Sequence, residues 1–170
     1  MGNFTSNTAN DSGGAIFFNG KLTDVNISGS YNNNWANDTT GVFLFNSNLT
    51  NVVISGDYTN NAAQYCAAYY MSEFATINNS SISGNYYNNS ADYCVVFLME
   101  GIISNSNISG NYTSNNAKRG INVIGEAYNV NMSGNYVNNN VSDGSVIYIG
   151  YCDENSILHD SIFIKRNLIN

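Results

Sequence analysis

The sequence predicts an all-β chain, a right-handed single-stranded parallel β-helix of about six coils, each 24–28 residues long with three short strands. Three observations carry that expectation. The stretch from Ile27 to Ala36 returns as Ile54 to Ala63, Ile82 to Ala91, Ile108 to Ala117 and Met132 to Val141, at spacings of 27, 28, 26 and 24 residues, and a partial copy runs from Gly2 to Ala9. Self-similarity at such a period marks a stacked array, in which each unit buries its core only against its neighbours. The residue types are those of strands and turns: 34 of 170 residues are Asn, Pro is absent, and no 3.6-residue apolar stripe survives across a repeat. Finally, the same residue types recur at the same place in every copy. The right-handed sense follows by extending the crossover rule for parallel strands.

Residues 1–170 are read as a single solenoid, with coils beginning near residues 1, 22, 49, 77, 103 and 127. The pattern loosens from Tyr151 to His159 and resumes at Ile162-Phe163-Ile164 in a partial coil, residues 159–170. The chain opens inside one repeat and stops inside another, so a longer natural array is expected, and its uncapped end rungs predict end-to-end self-association.

Within a coil, the first strand alternates apolar and polar residues, as in Val25-Asn26-Ile27-Ser28, the period of a half-buried strand. The Ile27 position holds Ile54, Ile82, Ile108 and Met132 in later coils, and five residues earlier a second aliphatic column holds Leu22, Leu49, Ile77, Ile103 and Ala127. Gly29, Gly56, Gly84, Gly110 and Gly134 follow the strand, where a corner needs positive φ or a close backbone approach. An aromatic column comes next, Phe4, Tyr31, Tyr58, Tyr86, Tyr112 and Tyr136. Three residues on stand Asn7, Asn34, Asn61, Asn89, Asn115 and Asn139, read as a corner ladder in which each amide donates to and accepts from its neighbours. Small residues at Ala9, Ala36, Ala63, Ala91, Ala117 and Val141 close the corner.

The last strand of each coil is apolar on both parities. Treating Asn122, Glu100 and Glu126 as markers of the outward parity places Ala15, Val42, Tyr69, Phe97, Val123 and Ile147 inside. The outward column is then Ile16, Phe43, Tyr70, Leu98, Ile124 and Tyr148, a candidate contact surface, or a face covered by flanking loops or a partner domain.

Composition narrows the partners. A net charge of −7, with only Lys21, Lys118, Arg119, Lys165 and Arg166 basic, disfavours nucleic acid and anionic lipid. No run approaches the roughly 18 apolar residues of a membrane span, so no direct span is expected in this chain, and no export leader is recognisable at its start. There is no phosphate-binding loop and no dinucleotide fingerprint, so no cofactor is called for.

Phe4-Thr5-Ser6-Asn7, followed by Gly13-Gly14-Ala15-Ile16, resembles the paired FxxN and GGAI motifs of the chlamydial polymorphic outer-membrane-protein repeat. Later copies keep the first motif with Tyr for Phe and lose the second, reading Thr40-Gly41-Val42-Phe43 or Ala67-Ala68-Tyr69-Tyr70. With its Asn-rich composition and ISGNY phrases, the chain is similar to the large Asn/Thr-rich adhesin-like surface proteins of methanogenic archaea, over residues 2–150. The resemblance implies a right-handed, pectin-lyase-like β-helix displayed outside the cell with a role in adhesion, its signal and anchor lying outside this chain. No catalytic residues come with it.

Residues that could carry chemistry are few. Twelve Asn-x-Ser/Thr sequons occur, among them Asn26, Asn48, Asn107 and Asn131, and exposed ones could be glycosylated in an exported protein. Cys66 and Cys94 fall on one column in adjacent coils, a separation a disulfide tolerates, although two small apolar residues stacked in a corner are the preferred reading. Cys152 has no counterpart and no Cys-x-x-Cys spacing exists, which argues against zinc. Glu100 and Glu126 are expected to share a column at roughly 5 Å, the separation of a retaining glycosidase pair, although two stacked exposed carboxylates are more often just a solvated edge. Asp11 and Asp38 stack and could hold a cation loosely, without the repeating calcium pattern of Gly-rich β-rolls; His159 stands alone.

These readings lead to a non-enzymatic, adhesin-like cell-surface module that contacts glycans or partner cell-surface proteins. The alternatives are a polysaccharide-acting lyase or hydrolase, which needs Glu100 and Glu126 together, and a passive stalk that spaces another domain from the cell.

Overall fold

The computed structural model describes residues 2–72, 74–152 and 157–158, without the side chains of residues 97–100, 151–152 and 157–158. The partial coil expected over residues 159–170, with His159, lies outside the described residues. Every strand pairing is parallel, and each strand pairs with its counterpart one repeat away, so the chain is an all-β parallel β-helix.

Three sheets wrap the axis. The first has seven strands and is the backbone of the rod: Gly2–Thr5, Asn26–Asn32, Val53–Thr59, Ser81–Tyr87, Asn107–Thr113, Asn131–Val137 and Ile157–Leu158. The second has six two-residue strands, from Thr8–Ala9 through Ala62–Ala63 to Asn140–Val141, which carry the Ala column in register. The third is apolar. In early coils it is made of separate pieces such as Phe43–Phe45 and Leu49–Thr50; in later coils these fuse into the continuous strands Cys94–Ser104 and Gly120–Tyr128. The aliphatic column Leu22, Leu49, Ile77, Ile103 and Ala127 belongs to this third sheet, and an αL residue (Asp24, Asn51, Asn79, Asn105 or Asn129) separates it from the first.

The corners differ from the sequence expectation. The conserved-in-repeat Gly lies in the middle of a seven-residue strand with ordinary φ, and the positive-φ corners are built from Asn, Ser and Asp, such as Asn33, Asn60 and Asn88. Asn tolerates αL because its short amide bonds locally. The Gly instead answers a close approach: a Cβ on Gly84 would stand 2.7 Å from the Gly56 carbonyl oxygen and 3.0 Å from the rings of Tyr58 and Tyr86. Ile, Gly and Tyr of the Ile-Ser-Gly-Asn-Tyr phrase share the inward parity, and the missing side chain is the space into which the tyrosine ring folds.

Inside the rod the aromatic column forms a continuous stack. Ring centroids along Phe4, Tyr31, Tyr58, Tyr86, Tyr112 and Tyr136 are 5.3, 4.9, 4.8, 4.9 and 4.4 Å apart and nearly parallel. Each such contact contributes about 0.5–1.5 kcal/mol beyond the burial of area. The Asn column beside it is a buried ladder. The Nδ2 of Asn34, Asn61, Asn89 and Asn115 donates to Oδ1 of the next Asn at 2.9–3.0 Å and to the carbonyl of the aromatic residue one coil back.

The apolar strand corrects the expected outward column. Register aligns Ile16, Phe43, Tyr69, Phe97, Asn122 and Ile147 in one row, and Phe17, Leu44, Tyr70, Leu98, Val123 and Tyr148 in the next. Phe43 and Ile124 are fully buried in the main core and Ile16 packs against it, so these three do not face out; Tyr70 and Tyr148 keep the outward row, joined by Phe17, whereas the side chain of Leu98 lies outside those described. Val123, expected inside, belongs to a small cluster apart from the main core, with Cys66, Cys94, Tyr70 and Tyr93. Asn122, taken as an outward marker, is buried and points inward, where its Nδ2 donates to the Tyr136 hydroxyl at 2.7 Å. That hydroxyl gives the buried amide nitrogen a partner, which offsets part of the penalty that otherwise drives Asn to the surface, while the buried Oδ1 makes no hydrogen bond.

Candidate functional site

The outward parity of the first sheet carries a polar trough. Alternation turns Ile54, Gly56 and Tyr58 inward and Val53, Ser55, Asp57 and Thr59 outward, and the later strands repeat the pattern. The resulting concavity, about 590 Å³, runs along the rod axis, its outward side chains being Asp57, Ser83, Asn85, Ser109, Asn111, Ser133 and Asn135. Exact in-register pairing of four strands makes each row straight.

A second, exposed ladder organises the trough. Asn135 Nδ2 donates to Asn111 Oδ1 at 2.9 Å, Asn111 to Asn85 at 2.8 Å, and Asn85 to a carboxylate oxygen of Asp57 at 2.8 Å. Each amide spends one N–H on this chain and keeps a second N–H and an acceptor lone pair for a ligand. Asp57 ends the row with the one charged group among the lining residues. Two residues beyond Asn85 on the same parity, Tyr87 holds its ring 53% exposed, with Thr113 and Val137 beside it in the next coils. A row of fixed donors and acceptors beside an aromatic plate presents hydrogen bonds to hydroxyls and an apolar face to ring C–H groups.

The inner Asn column, in contrast, has no amide donor left for a ligand at Asn34, Asn61, Asn89 and Asn115. These four are buried and their amide donors are consumed by the ladder and by strand carbonyls. The aromatic column is also core. Burial pushes the Tyr112 hydroxyl up to about 12 and raises those of Tyr58, Tyr69, Tyr86 and Tyr136 further, with neighbouring tyrosines adding to the rise.

The remaining sequence candidates scatter. Glu126 pairs in register with Ile102, not with Glu100, so the expected carboxylate column is not formed; the Glu126 carboxylate accepts a hydrogen bond from the Tyr128 hydroxyl at 3.0 Å. The slip comes from register shifts between Cys94 and Phe97 and between Met99 and Ile102. Asp38 and Asp11 do lie on adjacent coils, Asp38 N–H donating to the Asp11 carbonyl at 3.2 Å, and among the described residues no three metal-ligating side chains gather. Sequon residues Asn26, Asn107 and Asn131 are exposed on the first sheet. Cys66 and Cys94 sit side by side on adjacent coils, as the spacing implied.

The Ser/Asn trough was not singled out from the sequence, although its signal was there. In the Ile-Ser-Gly-Asn-Tyr phrase, the period-two rule that buries Ile and Tyr also exposes Ser and Asn.

The fold and the trough define a parallel β-solenoid with a long polar face. Comparison with protein-family models, with curated proteins and with solved structures finds no match.

Proposed function

We propose that this chain is a non-enzymatic adhesion module of the cell exterior, which binds extended glycans lengthwise along the Ser/Asn trough. The observation that supports the reading is the coupling of the Asn85–Asn111–Asn135 ladder with the exposed Tyr87 on one face of the first sheet. The rungs repeat every ~4.8 Å, close to the rise of a sugar unit in an extended chain, so successive rungs can meet successive hydroxyl pairs. Straight, preorganised amides cost little ordering entropy on binding, and summed weak contacts along the rod give avidity. The loss of the Glu100–Glu126 column takes away the arrangement on which the lyase or hydrolase alternative rested.

The test incubates purified chain with a panel of linear polysaccharides and measures retention and newly released sugar ends in one tube. Retention without release, weakened at least tenfold by Asn111→Ala with Tyr87→Ala, is the expected result. Release of sugar ends that vanishes with Glu126→Gln overturns the proposal in favour of an enzyme. No retention on any glycan, with the trough variants indistinguishable from the parent, leaves the stalk as the better reading.

A further inference from the structure

Outside the trough, one pair of side chains combines reactive chemistry with a fixed geometry. Cys66 and Cys94 form a parallel bridge between adjacent coils, within a column that also holds Thr40 and Gly120. Backbone hydrogen bonds pin both residues: Cys66 N–H to the Thr39 carbonyl and Cys94 N–H to the Tyr65 carbonyl, each 2.9 Å. Residues paired across neighbouring parallel strands lie ~4.8 Å apart, inside the Cα range that a disulfide accepts. The side chains also point at each other, with the two sulfurs 2.6 Å apart.

We propose that Cys66 and Cys94 are oxidised to a disulfide that staples the two central coils together. The bland alternative, two thiols serving as small apolar fillers, does not account for the column itself. Its other members are Thr40, which is buried and polar, and Gly120, so the site does not demand an apolar side chain. Nor does the main core need the pair, since the thiols belong to a separate cluster under Tyr70 and Tyr93. Tyr65 stacks on Tyr93 at 5.5 Å and Arg119 lies over the Tyr93 ring at 4.9 Å, so the cover is itself held down.

Both thiols are fully buried, which sets when the bond forms. A disulfide oxidant such as oxidised glutathione reaches them as the coils close, before Tyr70 and Tyr93 pack. The thiolate of one cysteine attacks the glutathione disulfide and expels one glutathione thiolate. The thiolate of the second then displaces the other glutathione from the mixed disulfide, so one glutathione disulfide and two cysteines yield one protein disulfide and two reduced glutathiones. Once covered, the bond is shielded from reductant by the same tyrosines.

The staple joins residues 28 positions apart, and the closed loop lowers the entropy of the unfolded chain. The test refolds the reduced chain with oxidised glutathione, alkylates remaining thiols in denaturant and maps peptides by mass. The expected result is alkylation of Cys152 alone among the three cysteines, a cross-linked peptide pair carrying Cys66 and Cys94, and an apparent Tm roughly 5–15 °C above that of the reduced chain. Cys66→Thr, which copies Thr40 in the same column, keeps the β-sheet circular dichroism and abolishes the dependence of Tm on reductant. Three alkylated cysteines in the refolded chain, glutathione adducts in place of the cross-link, or an unchanged Tm shift in Cys66→Thr would each overturn the proposal.

Discussion

Asn61 and Asn89 are joined by two hydrogen bonds to a single atom: the backbone N–H and the side-chain Nδ2 of Asn61 both donate to Oδ1 of Asn89, at 2.9 and 3.0 Å. Asn89 repeats the gesture toward Asn115 and also donates to the Tyr58 carbonyl. The corner of every coil is thereby closed by the coil after it. Buried corners otherwise strand backbone N–H groups without water, at a cost of about 1–3 kcal/mol each.

Replacing Asn89 with Ala orphans both Asn61 donors and takes a second donor from the Tyr58 carbonyl, and the expected loss is about 3–5 kcal/mol. Asn111→Ala, in the exposed ladder, changes stability by less than about 0.5 kcal/mol. Thermal and denaturant unfolding of the two variants measure the contrast. Equal effects would mean that the two ladders do the same structural work.

Gly84→Ala introduces a methyl group 2.7 Å from the Gly56 carbonyl oxygen and 3.0 Å from two stacked tyrosine rings. Neither the backbone oxygen nor the confined rings can retreat, so overpacking should cost about 1–3 kcal/mol or more. Ser83→Ala, one residue away on the outward parity, is the matching control and should be close to neutral. Chemical denaturation of both variants decides it.

The corrected register of the apolar strand has its own consequence. Phe43→Ala removes a fully buried ring that stacks on Phe45 and Tyr69 and should cost about 3–5 kcal/mol. Phe17→Ala, at a ring 51% exposed, should cost less than about 1 kcal/mol. If the outward and inward rows were exchanged, the order of the two variants would reverse.

The tyrosine stack also predicts alkaline sensitivity. Burial holds the Tyr112 hydroxyl at about 12 against its ordinary 10, and its neighbours higher. Because the folded pKa values are raised, the folded chain binds more protons than the unfolded chain once pH passes 10. Their contribution is fully present below pH 10 and is lost as pH rises through 12. Tyrosinate absorbance should therefore show an early phase from exposed rings such as Tyr87, then a cooperative phase that coincides with loss of β-sheet circular dichroism. A single smooth titration of all tyrosines, with the fold intact, would contradict the buried stack.

Much of this architecture was legible because the pairing is parallel and in register. A residue type that recurs in the sequence becomes a straight column in space, so the Tyr stack, the Asn ladder and the aliphatic rows at Ile54 and Leu49 follow from the repeat itself. The same rule brought Cys66 beside Cys94. It failed where the repeat length changes. Ile16 stands nine positions after the ladder residue Asn7, whereas Tyr69 stands eight after Asn61, so one outward parity cannot be carried through all coils, and it places Phe43 and Ile124 wrongly.

The sequence by itself determined the solenoid, its columns and its apolar and polar strands, because one period repeated through the chain leaves one way to stack it. Which face of the apolar strand looks inward was decided only by tertiary structure. Both parities there are hydrophobic, so alternation carries no information, and the polar marker Asn122 found a hydroxyl partner inside the core. The offset of Glu126 from Glu100 was likewise fixed by strand register, a property of the assembled coils that no single repeat contains.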